Sequence, residues 1–455
     1  MDWEHSSRQA IHFIYTKWRI LLLISSGFLF VLFNMWILGT EGSHSTYKVI
    51  LDAGSTGTRV HVFQFNLPKF SLRTTEITES DLALISIPLF ARVHGGLSDY
   101  ANNPKDCRQG LMDLLNKAKA AVPKSEWAKT EVVLLATAGL RLLHAQQADA
   151  LLAEARDVLV KHSPFIVGTV DTIDGKTEAK LIYVMTHFVA AASEKQMAIV
   201  DLGGGSVQLA YKVREFDSAK EEVEEYLEKT RGSTLYLNSW LGYGLVAFRM
   251  KALEMAGDGQ PHPCVPEWTP AGVTYTYGEK SMSVMPRNTG SASSAVDSCL
   301  ALVRSALRES NPDSKCRSIT ASLSQTAASQ CGLNGTWLGP SEPNSIDEWR
   351  LFSYIFDLAA EEGLVPEGES EATLSASDFL KAARVHCERS EKVHERIEWW
   401  KCVDLVYVSA LLVDGFRLEP QFPLRVTKRL VYKGQIELEA AWPLGAAIAA
   451  IQNEL

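Results

Sequence analysis

The sequence predicts an α/β protein with mixed sheets, assembled from two lobes of one design that grip a phosphate between them. Two observations carry that expectation. The first is the stretch Ile199-Val200-Asp201-Leu202-Gly203-Gly204-Gly205-Ser206-Val207-Gln208-Leu209-Ala210-Tyr211. Two apolar, β-prone runs flank an aspartate and three consecutive glycines, which reads as strand, tight turn, strand. The second is the same plan near the start of the chain, Val49-Ile50-Leu51-Asp52-Ala53-Gly54-Ser55-Thr56-Gly57-Thr58-Arg59-Val60-His61-Val62-Phe63. Glycines at such a turn leave no Cβ between the backbone and whatever lies over it. A row of backbone N–H groups with a carboxylate at one end suits a phosphate chelated by a divalent cation. One glycine hairpin would be a weak signal; a matched pair is a stronger one.

Taken in order, the chain opens with an address. Ile20 to Leu38 is an uncharged apolar run of 19 residues, enough to span a membrane as a helix. Lys17 and Arg19 precede it, and Glu41 and His44 follow. The positive-inside rule then makes 1–19 a cytosolic tail, 20–38 a signal anchor and 39–46 a stem, with everything beyond Gly39 in the lumen or outside. A cleaved signal peptide is the rival reading. The run is long for that role, and no clear small-residue cleavage site follows it. The Leu444–Ile451 run is too short for a second span.

The remaining length suffices for two core-bearing lobes among 455 residues. A composition of 46% hydrophobic and 22% charged residues is that of a folded protein. A net charge of −9 argues against a general nucleic-acid binder, though not against a phosphorylated small substrate. Six of the seven cysteines fall in the second half, as expected on the oxidising side of a membrane. Sequence proximity suggests Cys264–Cys299, Cys316–Cys331 and Cys387–Cys402, with Cys107 left over, although other connectivities are open. No cysteine–histidine spacing resembles a zinc site. Asn334-Gly335-Thr336 is a glycosylation acceptor on the expected luminal side.

Tyr47–Asp52 and Arg59–Asn66 form the first predicted strand pair. Lys105–Val122 carries a helical apolar stripe at Leu111, Leu114, Leu115, Ala118 and Val122. Glu131–Ala136 is a strand leading into Thr137-Ala138-Gly139-Leu140-Arg141. Ala148–His162 is again helical, and Phe165–Val170 a strand. After the Asp174-Gly175 turn, Glu178–Ala192 is an apolar helix, and Ala198–Asp201 opens the next strand. This alternation describes an α/β lobe with a mixed sheet. Further on, Glu215–Lys229 reads as a charged surface helix, Pro261–Asn288 as loop and strand, and Glu367–Ser375 as an exposed loop. Cys402–Val413 is buried strand or helix, and Trp442–Ile451 a small-residue helix.

The polar residues at these turns share a chemistry. Asp52 and Asp201 each end an apolar strand, where an unpaired carboxylate calls for a cation. Facing each other, they would hold Mg²⁺ or Ca²⁺ through water. Ser55, Thr56, Thr58 and Arg59 can donate to phosphate oxygens. Thr137, with Ala138 and Gly139, adds a hydroxyl and an open backbone. Glu178 is either a first-turn glutamate favoured by the helix dipole or the general base that activates a water for attack on phosphorus. Ser206 and Gln208 could hold that water. Phosphoryl transfer asks for positioning, charge neutralisation and an oriented nucleophile. No Walker loop, HExxH or Ser-His-Asp signature competes.

Asp52–Arg59, Ala136–Arg141 (ATAGLR), Asp174–Glu178, Asp201–Gln208 and Trp442–Ala446 (WPLGA) resemble, in order, the five conserved regions of the apyrase-type nucleoside di- and triphosphate hydrolases. The likeness runs from about Tyr47 to Ile451. Further stretches are similar to the single-anchor, secretory-pathway nucleoside diphosphatase branch: GSTGTRVHVF, GLSDYA at Gly96–Ala101, LGYGL at Leu241–Leu245, CGLNGTW at Cys331–Trp337 and VDGF at Val413–Phe416. The resemblance implies two RNase H-like lobes of the actin-like ATPase superfamily, with lobe I as 47–172 and 427–455 and lobe II as 173–426. It implies Glu178 as catalytic base and Ser206 and Gln208 positioning the water. Asp52 and Asp201 would surround a hydrated Mg²⁺, Ca²⁺ or Mn²⁺, with Thr137 near it. Ser55, Thr56, Thr58, Arg59, Thr137, Ala138 and Gly203, Gly204, Gly205 and Ser206 would hold the phosphates. Tyr354 and Trp442 are the candidates to pack on the base.

The third motif departs from the family pattern. Ala179 stands where the family usually has glycine, and Tyr183 and His187 replace a tryptophan and an asparagine. A positive φ at Ala179 would crowd the base. The expected activity is divalent-cation-dependent hydrolysis of the terminal phosphate of UDP and GDP, by-products of luminal glycosyltransferases, in the Golgi or endoplasmic reticulum. The Gln452-Asn453-Glu454-Leu455 ending only partly resembles a retention signal. A broader triphosphatase, an exopolyphosphatase or sugar kinase, and a non-catalytic nucleotide-binding homologue are the alternatives.

Overall fold

The computed structural model describes residues 43–68, 77–78, 81–190, 195–214, 221–230, 233–288, 294–308, 316, 331–387, 398–452 and 454, with single residues 18 and 30. The expected anchor, Ile20–Leu38, lies outside the described residues except for Phe30. Among the described residues, no helix is long and apolar enough to cross a membrane. The chain divides into two compact units, Met1–Thr46 with Phe65–Ile85, and Tyr47–Gln64 with Ser86–Leu455. The first contributes the described stretches 43–46, 65–68, 77–78 and 81–85. The helices named below and the candidate site belong to the second.

Five strands make the first sheet: β1 (Ser43–Ala53), β2 (Gly57–Pro68), β3 (Ala83–His94), β4 (Glu131–Ala136) and β5 (Ile166–Thr172), in the order β3-β2-β1-β4-β5. β1, β4 and β5 run parallel. Val49, Ile50 and Leu51 are fully buried, as a continuous apolar run must be when both sheet faces are covered. Helices Cys107–Ala121 and Ala145–His162 cover the sheet with Leu111, Leu114, Leu115, Leu151, Ala155 and Leu159. Their apolar positions recur at helical spacing, so one stripe of each is buried.

The second sheet holds β6 (Met197–Leu202), β7 (Ser206–Val213), β8 (Leu227–Thr230), β9 (Ser233–Leu241), β12 (Glu348–Ser353), β13 (Glu371–Leu374) and β14 (Leu424–Thr427). Its order is β13-β14-β12-β6-β7-β9-β8. Taking β6, β7, β9, β12 and β14 as first to fifth, their spatial order is 3-2-1-4-5. This is the order of the first sheet, and the first, fourth and fifth strands are again parallel. The duplication foreseen from the two Asp–Gly turns is therefore one of topology. Two hairpins lie outside these sheets, β10 (Val273–Tyr277) with β11 (Lys280–Val284), and β15 (Arg429–Tyr432) with β16 (Ile436–Glu439).

The second sheet's core is the larger and is rich in aromatics, with Tyr211, Tyr236, Trp337 and Trp349 buried together. The three disulfides are Cys264–Cys299, Cys316–Cys331 and Cys387–Cys402. Cys107 is buried and unbridged. Asn334 is half-buried at φ 54°, and its Oδ1 accepts a hydrogen bond from the Tyr243 hydroxyl at 2.8 Å.

Several elements differ from expectation. Within the supposed charged helix, Glu215–Lys229, the described helix is only Glu221–Glu224 and Leu227 onward is strand β8. Val223 and Tyr226 are buried in the core, and the backbone from Leu227 on is taken up by pairing with β9. The Glu367–Ser375 loop contains edge strand β13, held by backbone pairing with β14 rather than by its own pattern. Cys402–Val413 lies on helix Trp400–Ala410 and the wider turn Leu411–Gly415.

Candidate active site

The two Asp–Gly turns fold alike. Asp52 stands at the end of β1, and the following turn closes with the Gly54 N–H donating to the Gly57 carbonyl at 3.1 Å. Asp201 stands at the end of β6, and the Gly203 N–H donates to the Ser206 carbonyl at 3.0 Å. The turns approach each other closely. A Cβ on Gly204 would lie 2.7 Å from Ser55 Oγ and 2.9 Å from Thr56 Cγ2, so only glycine fits there. A Cβ on Gly205 would lie 2.8 Å from the Ala138 Cβ. Ser55, Thr56, Ala138 and the glycine turn are thus brought together. Thr137 is buried beside them, its N–H donating to the Ala53 carbonyl at 3.3 Å. Arg59 Nη1 donates to Asp52 Oδ2 at 3.3 Å. Thr58 is buried next to it on β2, where strand alternation turns it to the opposite face from Arg59.

Glu178 enters from helix Gly175–Ala190. Asp174 Oδ1 accepts the N–H groups of Lys176 and Thr177, each at 2.8 Å, which fixes the helix start. Gly175 is required because a Cβ there would strike the Ser239 side chain and lie 2.8 Å from Arg141 Nη1. Ala179 is fully buried against Ala210, Leu235 and Leu237 and does not have positive φ, so the departure from glycine strains nothing.

A buried polar network surrounds the glutamate. Arg141 Nη2 donates to Glu178 Oε2 at 2.7 Å and to Ser206 Oγ at 3.1 Å. Gln208 Nε2 faces three acceptors: Ser206 Oγ at 2.7 Å, Ser239 Oγ at 3.0 Å and Glu178 Oε2 at 3.1 Å. Ser206 and Gln208 alternate along β7 and so share a face, while Ser239 is the partner of Gln208 on β9. Burial pushes the Glu178 carboxyl up to about 8, against the opposing pull of Arg141. Burial also raises Asp52 to about 6 against Arg59, and Asp201 to about 6 against a Ser353 hydrogen bond and Arg59.

Three buried acceptors in this region have no partner: Asp52 Oδ1, Asp201 Oδ1 and Gln208 Oε1. Buried oxygens without donors are costly. The deficit fits a hydrated divalent cation between the two aspartates and a water at Gln208. Among the described residues no group of three or more His, Cys, Asp or Glu could hold a metal directly, so a cation here would keep most of its water.

A cleft of about 730 Å³ opens beside Ser55, Thr56 and Gly139, lined farther out by Tyr243, Lys251 and Tyr277. Its size suits a nucleotide-sized ligand. Neither aromatic expected to pack on a base lines it. Trp442 is buried in the core at the start of the last helix, and half-buried Tyr354 lies 3.7 Å from the Cβ position of Gly204. Sequence reasoning also missed Ser239 and Tyr277, which carry no motif, and gave no task to Arg141. A charged residue directly after a buried strand, within ATAGLR, was the available signal for Arg141.

Residues 39–454 match the family described as GDA1/CD39 (nucleoside phosphatase). The chain is 34% identical over 432 residues to Apyrase 1 of Arabidopsis thaliana, covering 90% of this chain and 85% of that protein. It is 32% identical over 429 residues to ectonucleoside triphosphate diphosphohydrolase 5 of Mus musculus, covering 90% and 88%. A crystal structure of nucleoside triphosphate hydrolases from Neospora caninum shares the fold, with a TM-score of 0.59 at 14% identity over 95% of this chain and 97% of that one.

Proposed function

The chain belongs to the GDA1/CD39 nucleoside phosphatase family and is a nucleoside phosphate hydrolase, and on that premise we propose that it releases the terminal phosphate of nucleoside diphosphates, UDP and GDP, in the secretory-pathway lumen. The observation that carries the reaction is the buried Glu178–Ser206–Gln208 network with its unpartnered Gln208 Oε1. A water there donates one hydrogen to Gln208 Oε1 and offers the other to the Glu178 carboxylate. Its oxygen forms the new bond to the terminal phosphorus as the bridging P–O bond breaks, and Glu178 takes the proton. The products are inorganic phosphate and the nucleoside monophosphate.

Ser55, Thr56 and the N–H groups of the Gly203–Ser206 turn bind the phosphates, and Arg59 adds a fixed positive charge. Asp52 and Asp201 would hold a hydrated Mg²⁺, Ca²⁺ or Mn²⁺, which supplies further charge neutralisation. Two lobes, 47–172 with 427–455 and 173–426, would each contribute one Asp–Gly turn. The nucleoside would occupy the cleft beside Ser55, where Tyr243 is a lining aromatic and neither Tyr354 nor Trp442 is. Three disulfides and the Asn334 sequon support a luminal setting, Golgi or endoplasmic reticulum, with residues 20–38 as the anchor.

The test is phosphate release by the full chain in detergent, from UDP, GDP, ADP and the triphosphates, with each cation or with EDTA. Fast, EDTA-sensitive release from UDP and GDP that collapses in Glu178→Gln is expected. Activity surviving in Glu178→Gln would overturn the base assignment, and a preference for triphosphates would overturn the substrate assignment.

A further inference from the structure

The hairpin β10–β11 reaches over the cleft and carries a tyrosine that no motif announces. Tyr277 lines the cleft, and its hydroxyl lies 2.9 Å from where a Cβ on Gly205 would stand. It therefore presses against the phosphate-facing glycine turn. The side chain is half-buried, and its hydroxyl has no hydrogen-bond partner among the described residues. By contrast, Tyr275, two residues earlier on the same face, donates to the Val246 carbonyl at 2.8 Å.

The hairpin tip is held by several contacts. Glu279 Oε1 accepts from Gln147 Nε2 at 3.3 Å, its Oε2 lies 3.9 Å from His144 Nε2, and Lys280 pairs with Glu254 on helix Leu245–Ala256, which packs against the hairpin. Gly278, at φ +59°, allows the tight two-residue turn that brings Tyr277 and Lys280 opposite each other. The hydroxyl is thus delivered on a braced element rather than on a free loop.

Resting on the function proposed above, we infer that the Tyr277 hydroxyl binds the phosphate next to the one transferred, the α-phosphate of a nucleoside diphosphate. The transferred group must lie against Ser206, Gln208 and Glu178. Gly205 precedes Ser206 in the turn and lies against Tyr277 and Leu142, both of which line the cleft where the nucleoside would sit. A donor poised over Gly205 meets the phosphate between those two ends. That phosphate departs with the nucleoside and gains charge as the bridging bond breaks, so the hydroxyl contributes to affinity and, more strongly, to the chemical step.

The test uses the full chain in detergent and Tyr277→Phe, which removes only the hydroxyl. kcat/KM for UDP should fall roughly tenfold or more, the worth of a hydrogen bond to a charged group, with kcat sharing the loss. Calorimetric binding of α,β-methylene UDP should weaken as well, by no more than kcat/KM falls, while Tyr275→Phe leaves both values unchanged. A Tyr277→Phe protein with wild-type analogue affinity overturns the inference, and so does one with wild-type kcat/KM. If wild type bound the analogue but hydrolysed no nucleotide, the proposed function would fail while the calorimetry still decided the role of Tyr277.

Discussion

Among the described residues Arg141 is the one cation that contacts Glu178, and replacing it with leucine removes that contact. The pair is well shielded, with side-chain exposures of 13% for Arg141 and 9% for Glu178, so solvent cannot substitute for the lost charge. A buried pair broken by deleting one partner costs about 3–5 kcal/mol if the survivor stays charged. Glu178 has an escape, because it can take up a proton. Burial already holds its carboxyl at about 8 against the pull of Arg141. Without that pull it should rise by about 1–2 units, the usual effect of an adjacent opposite charge. A general base works only when ionised, so activity rises with pH through its pKa. The kcat/KM profile of Arg141→Leu should therefore move upward by that amount, leaving activity near pH 7 roughly 10- to 100-fold down but recovering at higher pH. Arg141→Lys should shift it less. A loss of equal size at every pH, with an unmoved midpoint, would refute the argument and make Arg141 a structural residue.

Other consequences can be checked separately. The carboxyls of Glu178, Asp52 and Asp201 are all raised in the folded state. Their stabilising contribution is complete below the ordinary carboxylate range and is lost as pH climbs through about 6 and 8. Tm of the EDTA-treated protein should fall from pH 5 to pH 8, and added Mg²⁺ should raise it more at pH 8. Asp201→Asn should weaken that Mg²⁺-induced Tm shift while leaving the EDTA-treated protein at pH 8 at least as stable, since it deletes a buried charge; calorimetry reads both. Gly445→Ala drives a Cβ into the Leu181 carbonyl oxygen, and urea unfolding should show a loss of about 1–3 kcal/mol or more.

Legibility followed local causes. The strands leading into the two Asp–Gly turns could be read because Val49–Leu51 and Ile199–Val200 are continuous apolar runs that end in an aspartate, and glycine turns advertise themselves. The Asp174-Gly175 turn foretold the Glu178 helix, although the helix begins three residues earlier than expected, at Gly175. β9 and β12 escaped notice. Their burial comes from neighbouring strands, and Ser239 in β9 is polar because it faces Gln208, not because the strand is weak. Arg141 and Tyr277 escaped for the related reason that contacts between distant segments leave no periodic trace. Concern over Ala179 vanished once its backbone proved free of positive φ, a property no spacing reveals.

Helix Pro443–Ile451 packs against helix Gly175–Ala190, with Gly445 set directly on the Leu181 carbonyl. On the ribosome these two partners emerge far apart in time. The strands of both sheets and the turns after Asp52 and Asp201 are synthesised well before residues 443–451. The helix bearing Glu178 therefore waits, without its apolar cover, for Pro443–Ile451 to follow. A nascent chain ending before Pro443 would carry Glu178, Ser206 and Gln208 yet leave the helix that positions Glu178 unsettled.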